Sequence, residues 1–299
     1  MPLADHRQYL KPEVVSKLKS MEMKARLVVE GFITGLHKSP YHGFSVEFAE
    51  HRQYMPGDSI RDIDWKVYAK SDRFYVKEFE EETNLKAYIL LDASKSMSYT
   101  SAKTTKFDYA ANLGAALAFL MLKQRDAAGL VVFDQRIRRY VPPKSASVHL
   151  HALLTTLSGV TPSESTNVGA TLHEMAERIK RRGLIIVLSD LWDDPTRVLA
   201  GLKHFRHRKH EVIVFHILDP TEREFNFPEE ALFRDMETGE EISTLPWQIR
   251  SEYQRTMGAH VDRFRRECRQ AFVDYVPVDT SVPYDYALFS YLGKRARLF

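Results

Sequence analysis

The sequence predicts an α/β protein: a doubly wound, mostly parallel sheet with a small β-rich N-terminal appendage. Three observations carry that prediction. From Leu85 onward, runs of branched apolar residues (LKAYILLD, AGLVVFD, GLIIVLSD, EVIVFHILD) alternate with helical stretches. Such runs are typical of parallel strands buried on both faces, with right-handed crossovers placing helices on either side. Two of the runs stop abruptly at aspartates, Asp92 and Asp190, so both carboxylates are expected at the same strand-end rim. The first 84 residues do not follow the alternation, which divides the chain into a leader, 1–84, and a main domain, 85–299.

In chain order, the leader opens with a polar helix near Pro12 to Lys24. The text from Phe32 to Asn84 then sets aromatic and β-branched residues between Gly, Pro and Asp, a pattern of short strands and loops. Within it, PGDSIRDIDW reads as a turn followed by a tie between Arg61 and Asp62 or Asp64 and a buried Trp65, with a contact surface as the sharper alternative. The acidic run Glu78 to Thr83 reads as a solvated strand end or linker. LKAYILLD is the first core strand, and the helix after it is apolar almost all round from Phe107 to Leu122, as expected of a buried helix. AGLVVFD is the next strand, and IRRYVPP returns beside it as an antiparallel edge strand. Helices follow around Val148 to Leu157 and from Val168 to Arg181, then the strand GLIIVLSD, a helix from Thr196 to His207 and the strand EVIVFHILD. FRDMETGEEISTLP interrupts the alternation as a hairpin around Thr238-Gly239, inserted at about 220–246. FVDYVPVD is the last strand, and Pro283 to Leu292 a last helix with proline in its first turn. Leader and hairpin are expected to pack on one edge or rim of the main sheet.

Composition narrows the function classes. A hydrophobic fraction of 44% with 28% charged residues belongs to a soluble globular chain rather than a disordered one. A net charge of +3 lacks the basic bias of a dedicated nucleic-acid binder. The basic runs HFRHRKH and RIKRR read as cations favoured near helix C-termini. The single cysteine, Cys268, cannot form an internal disulfide and reads as a packing residue. The N-terminus has no apolar segment of the signal-peptide kind, and the apolar helix is shorter than the ~20 residues of a membrane span. The expected location is the cytoplasm, with no membrane span and no nucleic-acid partner.

The stretch YILLDASKSM carries the chemistry. A strand ending in Asp92 is followed by Ser94 and Ser96, Asp190 ends a strand expected nearby, and SESTNVGATL puts Thr166 in a loop before a helix. Taken singly, these residues are ordinary turn formers and helix N-caps. Taken together, they are two carboxylates and several hydroxyls converging at strand carboxyl ends, where open α/β sheets bind ligands. An all-oxygen set without His or Cys suits a hard divalent cation, Mg²⁺ above all, with Mn²⁺ the alternative. The chain has no GxxxxGK[ST] loop and no GxSxG elbow, and HEMAE at His173 to Glu177 is not HExxH. A phosphatase using Asp92 as nucleophile would want a second acid two residues on, where Ser94 stands. The alternative of a metal-dependent hydrolase or phosphatase therefore ranks behind a non-enzymatic reading.

The series Asp92-x-Ser94-x-Ser96, Thr166, Asp190 resembles the metal-ion-dependent adhesion site (MIDAS) of von Willebrand factor A domains, a Rossmann-like fold. GFSVEFAEHRQYMPGDSIRDIDW and VKEFEEE are similar to the leader of a bacterial family, domain of unknown function fifty-eight, in which it precedes a von Willebrand A-like domain. The resemblance implies that Ser94, Ser96 and Thr166 offer hydroxyl oxygens to Mg²⁺, while Asp92 and Asp190 bind it directly or through water. It also implies a protein-interaction module whose metal docks a partner's carboxylate. The implied partners are a MoxR-type AAA+ ATPase and a client protein.

Overall fold

The computed structural model describes residues 85–163, 166–227, 231–235 and 239–295, with the short stretches 20–26, 28–29, 51–53, 68 and 75–77. The readings of Arg61, Asp62, Asp64 and Trp65 and of the acidic run at 78–83 lie outside these residues, as does most of the helix expected near Pro12 to Lys24. Within the leader, β1 (His51–Gln53) and β2 (Tyr75–Lys77) pair antiparallel. Residues 21–26 are helical. Ala25, Val28 and Val29 are fully buried in the main hydrophobic core, so this part of the leader contributes to the core and is more than a rim appendage.

Six strands form the central sheet in the order β10-β7-β6-β3-β4-β5. They are β3 (Lys86–Asp92), β4 (Ala127–Phe133), β5 (Ile137–Lys144), β6 (Leu184–Ser189), β7 (Glu211–Leu218) and β10 (Asp274–Asp279). All neighbours are parallel except β5, which returns antiparallel on β4. The two outermost strands carry prolines, Pro142 and Pro143 on β5 and Pro277 on β10. From β3 the chain first moves outward to β4 and β5, then crosses back to place β6 on the other side of β3. The winding therefore reverses between β3 and β6, the strands that end at the two aspartates.

The alternation of side chains across β3 sorts the core into two layers. Ala87, Ile89 and Leu91 pack with α1 (Lys106–Lys123), α2 (His149–Ser158) and α7 (Asp285–Arg295). Tyr88 and Leu90 pack on the opposite face with α3 (Val168–Arg178), α4 (Pro195–His207) and α6 (Pro246–Gln270). The central helix α1 is capped by Thr105, whose hydroxyl accepts the Asp108 N–H at 2.9 Å, and is buried from Lys106 to Leu122 apart from Asp108 and Phe119. The longer α6 buries only a stripe that includes Met257, Phe264 and Cys268. Burial pushes the Cys268 thiol up to about 12, which keeps it an inert packing group.

The last helix runs on to Arg295 rather than ending at Leu292, and two other helix ends differ from the sequence reading for local reasons. α3 stops at Arg178 rather than Arg181, because Ile179 turns extended and buries its side chain in the second core layer. The last helix starts at Asp285 rather than Pro283, because Asp279 first organises a turn, accepting the N–H and hydroxyl of Ser281 at 2.9 and 2.6 Å. After β7 comes α5 (Pro220–Glu224), then β8 (Ala231–Arg234) and β9 (Glu241–Thr244), paired as a separate antiparallel hairpin. Gly239, in the connection, has φ 77°, a conformation glycine adopts without strain.

Candidate metal centre and its surroundings

Parallel pairing puts the ends of β3 and β6 side by side, with Leu91 opposite Leu188. Asp92 follows Leu91 directly, Asp190 comes one residue later after Ser189, and both aspartates are fully buried. The Asp92 carboxylate accepts the Ser94 N–H at 2.9 Å on one oxygen and the Ser189 hydroxyl at 2.5 Å on the other. These bonds fix its orientation toward the rim. Ser94 stands at the N-cap of the short 3-10 turn Lys95–Ser98, yet its side chain makes no capping bond. Its hydroxyl lies instead 3.1 Å from that of Ser96. The ordinary-cap account of Ser94 therefore does not describe its role.

The loop bearing Thr166 is anchored to both strand-end loops. Ser163 donates its N–H to the Ala93 carbonyl at 3.2 Å, and Gly169 donates to an Asp193 carboxylate oxygen at 2.9 Å. Thr166 lies between those anchors. The cap of α3 is its neighbour Asn167, which accepts from the Ala170 N–H. All three loops named from the sequence thus meet at one rim, at the reversal of strand order. Asp190 is close enough that its charge raises the pKa of Asp92.

The same rim contains residues the sequence reading did not single out. Lys106, the first residue of α1, is fully buried and donates to Asp190 and to Glu222, each at 2.8 Å. A cation there opposes the helix dipole of α1, so the two carboxylates must hold it. Burial disfavours the Lys106 ammonium, but the charges of Asp190 and Glu222 outweigh burial and leave its pKa above the usual value. Asp219 starts α5 with a capping box that includes Glu222, and its other carboxylate oxygen accepts the Ser101 N–H at 2.9 Å. Behind Asp190, His216 Nε2 meets the Asp190 carbonyl at 2.8 Å, and its Nδ1 meets the Tyr275 hydroxyl at 2.5 Å. The carbonyl can only accept, so Nε2 carries the proton and Nδ1 accepts from Tyr275. Burial, with the neighbouring His260, pushes the His216 pKa down to about 3, which keeps the ring neutral.

The residues present fit a hard divalent cation. Neighbouring ligands of an octahedral Mg²⁺ lie about 3 Å apart when each sits 2.0–2.1 Å from the ion, and the Ser94 and Ser96 hydroxyl oxygens are separated by 3.1 Å. Four buried or mostly buried carboxylates, Asp92, Asp190, Asp219 and Glu222, face this end of the sheet with the Lys106 ammonium among them. Burial and the charge of Asp190 push the Asp92 carboxyl up to about 7 despite its serine hydrogen bonds. Among the described residues no cluster of three or more His, Cys, Asp or Glu side chains forms a metal-binding group. Asp92, Ser94 and Ser96 are the residues best disposed to hold the ion. Asp190 shares its charge with Lys106 and suits a contact through water.

Comparison with known proteins adds family context. The family described as "Protein of unknown function DUF58" matches residues 50–263. Uncharacterized proteins of Mycobacterium bovis (Mb1516) and Mycobacterium tuberculosis (Rv1480) are each 26% identical over 260 residues, covering 83% of this chain and 79% of theirs. Among solved structures, the chain is similar to the conserved hypothetical protein BatB from Bacteroides thetaiotaomicron, with 16% identity, 72% of this chain and 100% of that chain covered and a TM-score of 0.46. It is also similar to an aerotolerance-related membrane protein from Bacteroides fragilis, with 19% identity, coverages of 70% and 99% and a TM-score of 0.47. No helix among the described residues is long and apolar enough to cross a membrane.

Proposed function

The chain belongs to the DUF58 family, and from that premise and the geometry of the rim we propose a non-enzymatic, metal-dependent docking module. Asp92, Ser94, Ser96, Thr166 and Asp190 hold a Mg²⁺ or Mn²⁺ ion in the manner of a MIDAS. The module acts in the cytoplasm as an adaptor of a MoxR-type AAA+ ATPase and takes an acidic side chain of the ATPase or its client.

The observation that carries this reading is the pairing of the Ser94 and Ser96 hydroxyls beside a buried Asp92 whose own oxygens are oriented by Ser94 and Ser189. When bound, the cation supplies an electrophilic position that a partner's carboxylate completes. The protein's own residues do the rest. The serine hydroxyls add no charge, so two aspartates only balance the ion. Lys106 offsets part of the Asp190 charge from behind. A rim so arranged keeps affinity for one more anionic ligand and needs no general base.

Two measurements test the proposal. Calorimetric titration with Mg²⁺ or Mn²⁺ is expected to show one site in the wild type, lost in Asp92→Ala and weakened in Ser96→Ala. Capture of the MoxR-type ATPase encoded in the same genome is expected to depend on the ion and to fail with chelator. Capture that is indifferent to chelator and to Asp92→Ala overturns the metal bridge. Steady phosphate release from phosphoesters with Mg²⁺, abolished in Asp92→Ala, replaces it with hydrolysis.

A further inference from the structure

Beside the rim lies a cleft of about 610 Å³ whose walls include Trp192, Phe225, Phe227, Phe233, Tyr253 and, on the side of the candidate metal centre, Ser96. The inserted segment builds it. The capping box at Asp219 starts α5, and Phe225 ends that helix in the left-handed region at φ 54°, which turns the chain back across α6. The Phe225 ring then stacks on Phe233, with centroids 5.4 Å apart, and leans on Tyr253 of α6 at 4.3 Å. Phe227 meets Phe233 edge-on at 4.8 Å. Rings packed on one another hold the wall in place without a ligand, so little ordering is lost when one arrives.

The geometry points to this cleft as the second half of the docking surface. It receives an aromatic or long aliphatic side chain from the same partner segment whose carboxylate meets the Asp92–Ser96 rim. The inference rests on the docking function proposed above and narrows the partner to a segment with Asp or Glu beside a large apolar residue. Ser96 belongs to both surfaces, and successive residues of an extended segment advance about 3.3–3.6 Å each. A side chain seated in the cleft is thus one or two positions from a carboxylate at the serine pair. Charge assigns the two arms. At the cleft, Arg234 stands with Asp235, Glu240 and a Glu222 already engaged by Lys106, so the cleft itself does not attract an acid. Its aromatic wall favours an apolar group, while the carboxylate belongs at the cation. Ile242, on the hairpin side of the cleft, is 64% exposed and extends the apolar surface outward.

The test is selection of short random peptides displayed on phage against the full-length chain in Mg²⁺, followed by affinity measurement on synthetic copies of the winners. The expected consensus is an acidic residue one or two positions from Phe, Tyr, Trp, Leu or Met. Phe233→Ala is expected to weaken such a peptide about tenfold or more, in the range of a lost aromatic anchor. Ile242→Asp, at an exposed position that does not hold the fold, is expected to weaken it in the same direction and covers the case in which Phe233→Ala fails to fold. A consensus with the acid but no apolar preference, or affinities unchanged in both variants, overturns the cleft and leaves metal docking standing. An apolar consensus without an acid, indifferent to chelator, overturns the metal bridge and this two-armed site, leaving the cleft as an independent apolar site. No enriched peptide, as when a second copy or the chain's own residues fill the cleft, overturns the inference.

Discussion

Replacing Lys106 by Met removes an ammonium that sits 2.8 Å from both Asp190 and Glu222 and leaves two desolvated carboxylates without their cation. Breaking a buried ionic network on one side costs about 3–5 kcal/mol, so Lys106→Met is expected to shift the urea midpoint down accordingly. Adding Glu222→Gln should recover part of that loss, because the three groups act as a unit. Titration gives a second residue-scale prediction. In the metal-free chain Asp92 keeps its proton to about pH 7 when folded, against an ordinary value of 3.8. Its contribution to stability is therefore complete below about pH 3.8 and lost as pH rises through about 7. His216 runs the other way: its folded value is about 3 against 6.5, so its contribution is complete above pH 6.5 and lost as pH falls toward 3. The two slopes nearly cancel between pH 4 and 6.5. His216→Gln is expected to unmask Asp92, with stability falling by up to about 1.4 kcal/mol per pH unit as pH is raised from 4 to 7. Urea unfolding in chelator at several pH values reads this directly. The Asp-x-Ser-x-Ser string was legible because its members are neighbours in the chain. Lys106 and Glu222 were not, since the contacts of Lys106 with Asp190 and Glu222 span 84 and 116 positions and exist only in the folded chain. A lysine opening an otherwise apolar helix, against the dipole, was the available hint.

The helices α3 and α4 approach so closely that side chains are excluded at two points. A Cβ on Gly169 would lie 2.7 Å from the Arg197 Cβ, and one on Gly201 would lie 2.7 Å from the Leu172 Cβ. Gly169 also donates to Asp193, and its helix carries the Thr166 loop. Gly169→Ala is expected to cost about 1–3 kcal/mol by overpacking and, by moving that loop, to weaken Mg²⁺ binding in the calorimeter as well. Gly258→Ala on α6 is the contrast, because nothing lies within 4 Å of the added methyl. It should stabilise by about 0.5–1 kcal/mol through helix propensity alone, with metal binding unchanged. The four inner strands β3, β4, β6 and β7 were readable as unbroken apolar runs because both faces of the sheet are covered there. Helix ends were less readable, since Ile179 and Asp279 are decided by burial and by a local turn rather than by periodicity.

Across the whole molecule, a ligand bound only by the folded state raises stability by mass action, about 2.7 kcal/mol at a hundred times its Kd. Saturating Mg²⁺ is therefore expected to raise the melting temperature of the wild type and to leave Asp92→Ala where it was. The two core layers lie on opposite faces of one sheet, so that gain should appear as a shift of a single cooperative transition. The prolines on the outermost strands carry a further consequence. Pro142, Pro143 and Pro277 have no amide hydrogen to offer a neighbouring backbone. Another chain seeking to lengthen the ladder finds interrupted templates at both margins, which protects the protein from strand-by-strand self-association. Any lasting companion is thereby directed toward side-chain contacts on the loops and helices, the surfaces that bear the serines and the aromatic wall.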